Sequence, residues 1–370
     1  MKKIYIIAGE ASGDLHGAHL IEVLKQAAGS PLEIYGVGGE KIKATGALNF
    51  FDLAHFHVTG FTEVVKRLPA YRNASKVILS QIREAHPNLV VLIDNPGFNL
   101  HLAKKIHEMG IPVAYYIAPQ IWAWAPKRIE KIKKYISKVL VVFEFEKKLY
   151  ENRQIPVAWV GHPLKDLILP ARQKEKSIQD RPIVSLLPGS RKGELKMLFS
   201  VFAGAALILS KKIPGIRFRL IKAPTLPQEF YQRLLKTVEA PIDLVEENSY
   251  EAIGESDLAI VCSGTATLEC ALLGIPMIIS NKSTFGTYFL VKNLIRIPYL
   301  GLPNLILNEM KMPELLQYQA TPEKIAEEAF NILSQPARIA SMRKDLEKVS
   351  EKLGSPGAIK RAAGEIISLL

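Results

Sequence analysis

Four turns of this sequence carry side chains that could bind a phosphorylated sugar or move a proton. Each follows a short apolar run typical of a buried strand, and the four are Gly9–Asp14, Asp94–Asn99, Pro188–Glu194 and Ser263–Glu269. Sheets of parallel strands bind ligands outside the carboxyl ends of their strands. The four turns are therefore the places where the chemistry is expected.

The last of these turns is suited to a phosphate. Ser263 and Thr265 supply hydroxyls, Gly264 leaves room for a ligand, and the helix start at Ala266 supplies backbone N–H groups. Glu269 follows about one helical turn later, where its carboxylate can accept hydrogen bonds from ribose hydroxyls. A capped helix of an ordinary α/β protein has the same pattern, so this segment alone leaves both interpretations open.

The turn at Pro188–Glu194 also suits an anion. Ser190 and Arg191 follow a Pro-Gly pair, and a guanidinium there can hold a phosphate through two parallel hydrogen bonds. A plain surface arginine is the alternative.

The two turns of the N-terminal half offer carboxylates. Glu10 and Asp14 lie in a turn that matches neither a dinucleotide fingerprint nor a P-loop. Glu10 comes too early to cap the following helix, so we expect it to be functional, whereas Asp14 either contacts the substrate or only caps the helix. Asp94 ends the apolar run Leu89–Ile93, where a partly buried carboxylate can act as a general base. The alternative for Asp94 is a turn-forming residue before Asn95.

Two apolar stretches could contact acyl chains or a membrane. Trp122 and Trp124 lie between prolines in Pro119–Arg128, and aromatic side chains there either contact a ligand or pack between helices. A second stretch has a basic rim and is typical either of an interfacial amphipathic helix or of an ordinary core face. Its apolar residues include Phe61, Val64, Val65 and Leu68.

Composition and charge limit the class of protein. The chain has 370 residues, 48% hydrophobic and 23% charged, which indicates a globular protein of two domains. The net charge of +12 suggests a polyanionic partner, and nucleic acid, phosphorylated small molecules and anionic membranes all fit. Apolar runs fall short of the roughly 20 residues of a spanning helix, so we expect any membrane association to be peripheral. Cys262 and Cys270 are too few for a disulfide framework or a cysteine metal cluster, and we expect both to pack in the core.

Apolar runs alternate with helical patterns along the chain, which predicts an α/β fold with parallel sheets covered on both faces. The runs are Ile4–Ala8, Leu32–Val37, Leu89–Ile93, Val113–Ile117, Val139–Phe143, Val157–Val160, Ile183–Leu187, Ile216–Ile221, Ile242–Val245, Leu258–Val261 and Met277–Ile279. The Pro- and charge-rich segment Leu164–Arg181 interrupts them and resembles a linker. We expect two doubly wound, Rossmann-like domains facing a cleft, followed by two or three helices after Thr321.

Seven motifs, taken in order, resemble those of the lipid-A-disaccharide synthase family, and they extend over nearly the whole chain. They are Gly9–Asp14, Asp94–Asn99, Pro119–Arg128, Gly161–Pro163, Leu187–Arg191, Ser263–Glu269 and Leu302–Asn304. The resemblance implies the GT-B fold and an inverting glycosyltransferase of lipid A biosynthesis. Its reaction would join UDP-2,3-diacylglucosamine to 2,3-diacylglucosamine 1-phosphate (lipid X) through a β-1,6 bond and release UDP.

The resemblance also implies which part of the chain binds the donor and which binds the acceptor. Residues 164–355 would bind the UDP-sugar donor and residues 1–163 the acceptor lipid, with a last helix at about 356–370 packing back on the first domain. The donor residues would be Ser190, Arg191, Ser263, Gly264, Thr265, Ala266, Glu269, Asn304 and Gln317. Asp94 or Glu10 would take the proton from the acceptor. The acceptor, acyl or membrane patch would comprise Ser12, Asp14, Phe61, Val64, Val65, Leu68, Trp122 and Trp124.

The same resemblance implies a peripheral protein on the cytoplasmic face of the inner membrane, on an anionic lipid surface and without nucleic acid. It implies no metal and no cofactor, since the UDP-sugar is a substrate, and it leaves a homodimer open. Gly97 departs from the family pattern, which commonly has a second acidic residue there, so the base role falls more heavily on Asp94. The alternatives are a UDP-N-acetylglucosamine 2-epimerase, a related GT-B transferase, and a non-catalytic phospholipid-binding protein.

Overall fold

The computed structural model describes residues 1–9, 11–53, 61–121, 128–168, 181–283 and 298–370, with the backbone alone described at 11, 49 and 61–68. The chain forms two compact units. The first includes Met1–Asp166 and Leu353–Leu370, and the second includes the described residues between Leu167 and Lys352.

The first unit is built on a parallel sheet of seven strands. The strands are β1 Lys2–Ala8, β2 Leu32–Gly38, β3 Leu48–Asp52, β4 Leu89–Ile93, β5 Val113–Tyr116, β6 Lys138–Val141 and β7 Val157–Trp159. Their spatial order is β3-β2-β1-β4-β5-β6-β7. Every residue of the central strand β4 is buried, because helices cover both faces of a doubly wound sheet, and this burial explains its uninterrupted apolar sequence.

Helices connect these strands, and the chain passes into the second unit within the helix that follows β7. They are α1 Ala11–Ala27, α2 Glu40–Ala44, α3 Phe61–Ala85, α4 Pro96–His107, α5 Arg128–Tyr135, α6 Glu144–Glu151, α7 Leu164–Ile168 and, after the second unit, α15 Ala358–Ile367. Helix α7 occupies the start of the predicted linker, and residues 169–180 of that linker lie outside the described residues.

The second unit repeats the plan with a parallel sheet of six strands in the order β10-β9-β8-β11-β12-β13. The strands are β8 Ile183–Leu187, β9 Arg217–Ile221, β10 Ile242–Val245, β11 Leu258–Cys262, β12 Met277–Asn281 and β13 Glu314–Leu316. The helices are α8 Lys192–Lys212, α9 Gln228–Leu235, α10 Ser249–Gly254, α11 Ala266–Leu273, α12 Leu302–Leu307, α13 Pro322–Leu333 and α14 Pro336–Lys352. The Thr321 hydroxyl accepts the Lys324 N–H and so caps α13, as its sequence predicts.

Each sheet has one point where the strand order reverses direction. In the first unit it lies between β1 and β4, which pair directly up to Ala8 and Ile93. In the second unit it lies between β8 and β11, which pair up to Leu187 and Val261. Connections leave such neighbouring strands in opposite directions, and the resulting crevice is where open α/β sheets bind ligands. The four candidate turns follow these four strands.

Helix α8 corrects the expectation that every apolar run is too short to span a membrane. With 21 residues it is long and apolar enough to cross a membrane by length and composition alone. Its side chains at Leu198, Phe199 and Phe202 are nevertheless buried inside the second unit, where the helix packs along α13. We therefore interpret α8 as a core helix of this unit.

The C-terminal segment rejoins the first unit through specific hydrogen bonds. The Asp166 carboxylate accepts the N–H groups of Gly357 and Ile359 at 2.6 and 2.9 Å. The Arg361 guanidinium donates to the Val160 carbonyl at 2.8 Å. Helix α15 then packs against α1. The first unit is thus assembled from both ends of the described chain.

Candidate functional site

Asp94 lies directly after β4, at the carboxyl edge of the first sheet, and it adopts a left-handed backbone conformation with φ +49°. Asn95 is left-handed as well, at φ +43°, and so is Ile117 at the end of the neighbouring strand, at φ +54°. Such a conformation is unfavourable for residues other than glycine, above all for a β-branched one. Three such residues at one sheet edge mark the kind of strained site where function is concentrated.

The main chain of Asp94 is tied to the neighbouring strand and to helix α4. Its N–H donates to the Tyr116 carbonyl at 3.2 Å. Its carbonyl oxygen accepts the Tyr115 hydroxyl at 2.7 Å and the Asn99 amide Nδ2 at 2.7 Å. Asn99 is fully buried, and its amide also donates to the Ile93 carbonyl at 3.0 Å. The backbone of the candidate base is therefore held by hydrogen bonds to three residues.

The turn after β1 lies against this site. A Cβ placed on Gly9 would overlap the Asn95 side chain, with Cγ at 3.0 Å and Nδ2 closer still. A small residue is needed here because the Asn95 amide occupies that space. Ser12 is half-buried in the first turn of α1. Glu10 lies outside the described residues.

Asp14 has partners within the protein. Its buried carboxylate accepts three backbone N–H groups at the start of α2, from Gly39 at 2.7 Å, Ile42 at 3.0 Å and Lys41 at 3.1 Å. Asp14 therefore takes part in hydrogen bonds to the backbone through both carboxylate oxygens. It stabilises the N-terminus of α2, a different helix from the one that its own sequence position suggests.

The remaining predicted acceptor and membrane residues are not described. Trp122 and Trp124 lie outside the described residues. The side chains of Phe61, Val64, Val65 and Leu68 also lie outside them, although their backbone forms the start of α3. Their predicted contacts with acyl chains or a membrane therefore stay predictions.

In the second unit, the turns after β8 and β11 lie side by side. A Cβ on Gly189, at φ +119°, would lie 3.0 Å from the Glu194 side chain and 3.6 Å from Cys262 Sγ at the end of β11. Ser190 is exposed, and its carbonyl accepts the Thr225 hydroxyl at 2.5 Å. Arg191 is exposed beside it, with Nη1 3.0 Å from Glu194 Oε1. An anion bound at this edge of the sheet would compete with the Glu194 carboxylate for the Arg191 guanidinium, or would share it.

The turn after β11 presents the start of α11, where the N–H groups of Thr267 and Leu268 donate to the Gly264 and Thr265 carbonyls at 3.1 and 2.9 Å. An anion could therefore take only N–H groups that precede these two. Gly264 and Thr265 are exposed and Ala266 is half-buried. No described heavy atom lies within 4 Å of the position that a Cβ would take on Gly264. The Ser263 hydroxyl instead donates to the Leu300 carbonyl at 2.7 Å. The backbone, more than the serine hydroxyl, is therefore what this turn offers to an anion.

Glu269 is half-buried one turn into α11, as the spacing predicts. Burial raises the pKa of its carboxyl group from about 4.5 to about 7. A desolvated carboxylate is a strong acceptor for hydroxyl groups, because few water molecules compete for it. Helix α11 stops at Leu273, and Gly274 follows in the left-handed conformation that commonly ends a helix.

Asn304, predicted to belong to the donor site, is buried, and its side-chain amide bonds to protein partners. Its Nδ2 donates to the Met312 carbonyl and to Glu314 Oε1, and its Oδ1 accepts the N–H groups of Lys311 and Met312. Glu314 in turn accepts the N–H groups of Leu300 and Gly301, both at 2.9 Å. Asn304 and Glu314 thus shape the loop around residues 300–301, to which Ser263 also bonds.

Gln317 follows β13 in a left-handed conformation, φ +51°, and its side-chain amide nitrogen, Nε2, donates to the Ser283 hydroxyl at 2.6 Å. Its half-buried side chain stays at the carboxyl edge of the second sheet. Sequence reasoning missed Glu314 and Tyr115. Both stand in short strands, where apolar neighbours hide a polar role, and no spacing pattern marks them.

Comparison with known proteins agrees with this arrangement. The lipid-A-disaccharide synthetase family model matches residues 4–366. Curated relatives named lipid-A-disaccharide synthase include those of Syntrophus aciditrophicus, 38% identical over 100% of this chain and 98% of the relative, and Coxiella burnetii, 38% identical over 90% and 89%. This chain belongs to the lipid-A-disaccharide synthase family. The resemblance inferred from the seven motifs is confirmed.

Solved structures place this member of the lipid-A-disaccharide synthase family in the GT-B fold. A UDP-GlcNAc 2-epimerase from Neisseria meningitidis, bound to UDP-GlcNAc, matches with a TM-score of 0.68 at 14% identity over 100% of both chains. MurG from Acinetobacter baumannii matches with a TM-score of 0.57 at 13% identity, again over 100% of both chains. At these identities the likeness shows the fold alone, and it confirms the predicted fold class.

Proposed function

We propose that this chain is an inverting glycosyltransferase that condenses UDP-2,3-diacylglucosamine with 2,3-diacylglucosamine 1-phosphate. The products are the β-1,6-linked tetraacyl disaccharide 1-phosphate and UDP. The observation that carries the proposal is the match to lipid-A-disaccharide synthases over the full chain, in a fold whose candidate residues gather at the switch point of each sheet.

The second unit binds the donor in this proposal. The diphosphate lies at the start of α11, where backbone N–H groups and the helix dipole favour an anion. Glu269 accepts hydrogen bonds from the ribose. Arg191 stabilises the charge that grows on the diphosphate as the bond to the sugar breaks, and stabilisation of developing charge often contributes more to catalysis than any other single effect.

The first unit binds the acceptor and supplies the base. Asp94 takes the proton of the acceptor 6-hydroxyl while the oxygen attacks the anomeric carbon of the donor. The bond from that carbon to the UDP oxygen breaks with its electron pair on UDP, so the configuration inverts from α to β. The proposal assigns no step to a metal ion or other cofactor.

We also propose peripheral binding to the anionic cytoplasmic face of the inner membrane, because both substrates carry acyl chains. The described residues include a basic face on α4 and α5. Its cations are Lys104, Lys105, Lys131, Lys133 and Lys134, and His101 lies among them. Burial and the charges of Lys105, Lys131 and Lys104 lower the pKa of His101, which indicates how closely these cations are grouped. The Glu108 carboxylate lies 3.8 Å from Lys104 Nζ and offsets one of these charges, whereas Glu130 pairs with Arg153.

The epimerase alternative is not favoured. The relatives that are 36–39% identical to this chain are named as synthases, whereas the epimerase structures are only 11–14% identical to it. The test is to incubate the purified protein with both acylated substrates and to measure UDP and disaccharide. Equal release of the two products supports the proposal. A protein that converts UDP-N-acetylglucosamine alone, or that binds lipid without turnover, would reject it.

A further inference from the structure

The left-handed conformation of Asp94 requires support from its surroundings. A non-glycine residue keeps this conformation only where neighbouring groups over-determine it. Two buried side chains meet on the Asp94 carbonyl oxygen, Tyr115 Oη and Asn99 Nδ2, each at 2.7 Å. A carbonyl oxygen has two lone pairs, so these two donors saturate it.

We propose that Tyr115 and Asn99 are positioning residues, which hold the Asp94 backbone in the conformation that sets the direction of its carboxylate. The inference rests on the proposed function, in which Asp94 takes the acceptor's proton. A general base must lie within hydrogen-bond reach of that proton. A small rotation of the Asp94 backbone would therefore reduce turnover without touching the donor site.

The neighbouring tyrosine shows why the Tyr115 hydroxyl needs an explanation. Tyr115 and Tyr116 are both fully buried and lie on opposite faces of β5. The Tyr116 hydroxyl has no hydrogen-bond partner among the described residues. A phenylalanine would fill the core as well as either tyrosine, so packing alone does not account for the Tyr115 hydroxyl. Burial also raises the pKa of Tyr115 well above its usual range, so the hydroxyl stays protonated and donates a hydrogen bond.

The matched pair Tyr115→Phe and Tyr116→Phe tests the role of the hydroxyl. We expect Tyr115→Phe to lower kcat roughly tenfold, which corresponds to about 1.4 kcal/mol, near the upper end for one hydrogen bond. The KM for the UDP-sugar should not change, because the donor binds to the other unit. Tyr116→Phe should keep full turnover. Thermal unfolding of both variants shows whether either loses its fold.

A double-mutant cycle then separates positioning from general stability. Residues that act as a unit give non-additive effects. Tyr115→Phe should therefore lower the turnover rate only slightly when it is combined with Asp94→Asn or with Asp94→Glu. The Asp94→Glu background keeps a carboxylate and so should keep a measurable rate. Single turnovers with excess enzyme extend the range of rates that can be followed.

The outcomes distinguish this inference from the proposed function. If Asp94→Asn abolishes turnover but Tyr115→Phe lowers the rate by the same factor in every background, the positioning role is wrong and the base assignment stands. If Tyr115→Phe has normal kcat, the positioning role is also wrong. If Asp94→Asn keeps normal turnover, the base assignment fails and the positioning role fails with it.

Discussion

Gly9 at the end of β1 lies directly against the side chain of Asn95, the residue after the candidate base. A Cβ on Gly9 would overlap the Asn95 amide, so alanine there must displace the side chain of Asn95, the residue next to Asp94. The two residues are far apart in sequence, and they meet because β1 and β4 pair at the switch point.

Gly9→Ala should therefore lower turnover at least tenfold while the affinity for UDP stays normal. The steady-state rate and UDP binding measured by calorimetry check this. Gly13→Ala is the matched control in the same segment, because its Cβ would meet only ordinary contacts at 3.5 Å and beyond. A Gly9→Ala variant as active as the Gly13→Ala variant would contradict the close packing of Gly9 on Asn95.

Asp14→Ala should destabilise the first unit without changing donor affinity. The substitution leaves the N–H groups of Gly39, Lys41 and Ile42 without their charged acceptor, and one hydrogen bond to a charged group contributes about 1.5–3 kcal/mol. Urea denaturation should show a loss of at least about 2 kcal/mol in the free energy of unfolding. Glu22→Ala, at an exposed position of the same helix, serves as control and should be nearly neutral. Equal stability of the two variants would restore a substrate role for Asp14.

Glu269→Gln should make the unliganded protein more stable at pH 8 than the wild type. The native pKa of about 7 exceeds the ordinary value of 4.5, so the native state binds more protons between these values. Stability is then fully present below pH 4.5 and is lost as the pH rises through 7, by on the order of 2–3 kcal/mol. The glutamine variant lacks this loss.

Denaturation curves at pH 5 and pH 8 measure the effect. Glu251→Gln, on an exposed carboxylate of α10, is the control and should follow the wild type at both pH values. If Glu269→Gln loses stability between pH 5 and pH 8 as much as the wild type does, the carboxyl group is not desolvated as described.

The double variant Lys104→Gln and Lys131→Gln should weaken binding to anionic vesicles. Each basic residue near an anionic surface contributes about 1 kcal/mol, so the loss of two should lower the partition coefficient roughly 30-fold at low salt. Turnover in neutral detergent micelles should not change. Vesicle sedimentation against phosphatidylglycerol content measures the binding.

The control for the basic face is Lys211→Gln with Lys344→Gln, two exposed lysines of α8 and α14. It removes the same charge from the second unit. Equal losses in the two double variants would show that net charge alone, and not the face on α4 and α5, drives binding to the vesicles.

The sequence predicted the sheets closely and the roles of single side chains less well. All eleven apolar runs became strands, with β4, β8 and β10 at the predicted residues. The strands β3 and β13 were missed because both lie at sheet edges, are short and include polar residues, so neither has a clear apolar pattern.

Two candidate side chains bond to protein partners that local spacing does not reveal. Asp14 bonds to a helix start more than 20 residues away, and Asn304 bonds to the loop before β13. Local spacing carries no record of such partners, so a carboxylate or amide near a candidate site resembles a ligand contact. Glu269 lies one turn into α11, as its spacing predicts, because that position is set within a single helical turn.

The return of the chain to the first unit affects the order in which the two units fold during synthesis. Residues 353–370 belong to the first unit, and the N–H groups of Gly357 and Ile359 complete the bonds of Asp166. A ribosome that has released residue 166 has therefore not yet made α15, the helix that covers part of α1. The second unit can form its own sheet as it emerges, whereas the first must wait with an apolar surface uncovered. During translation the half that begins first is thus the half that finishes last.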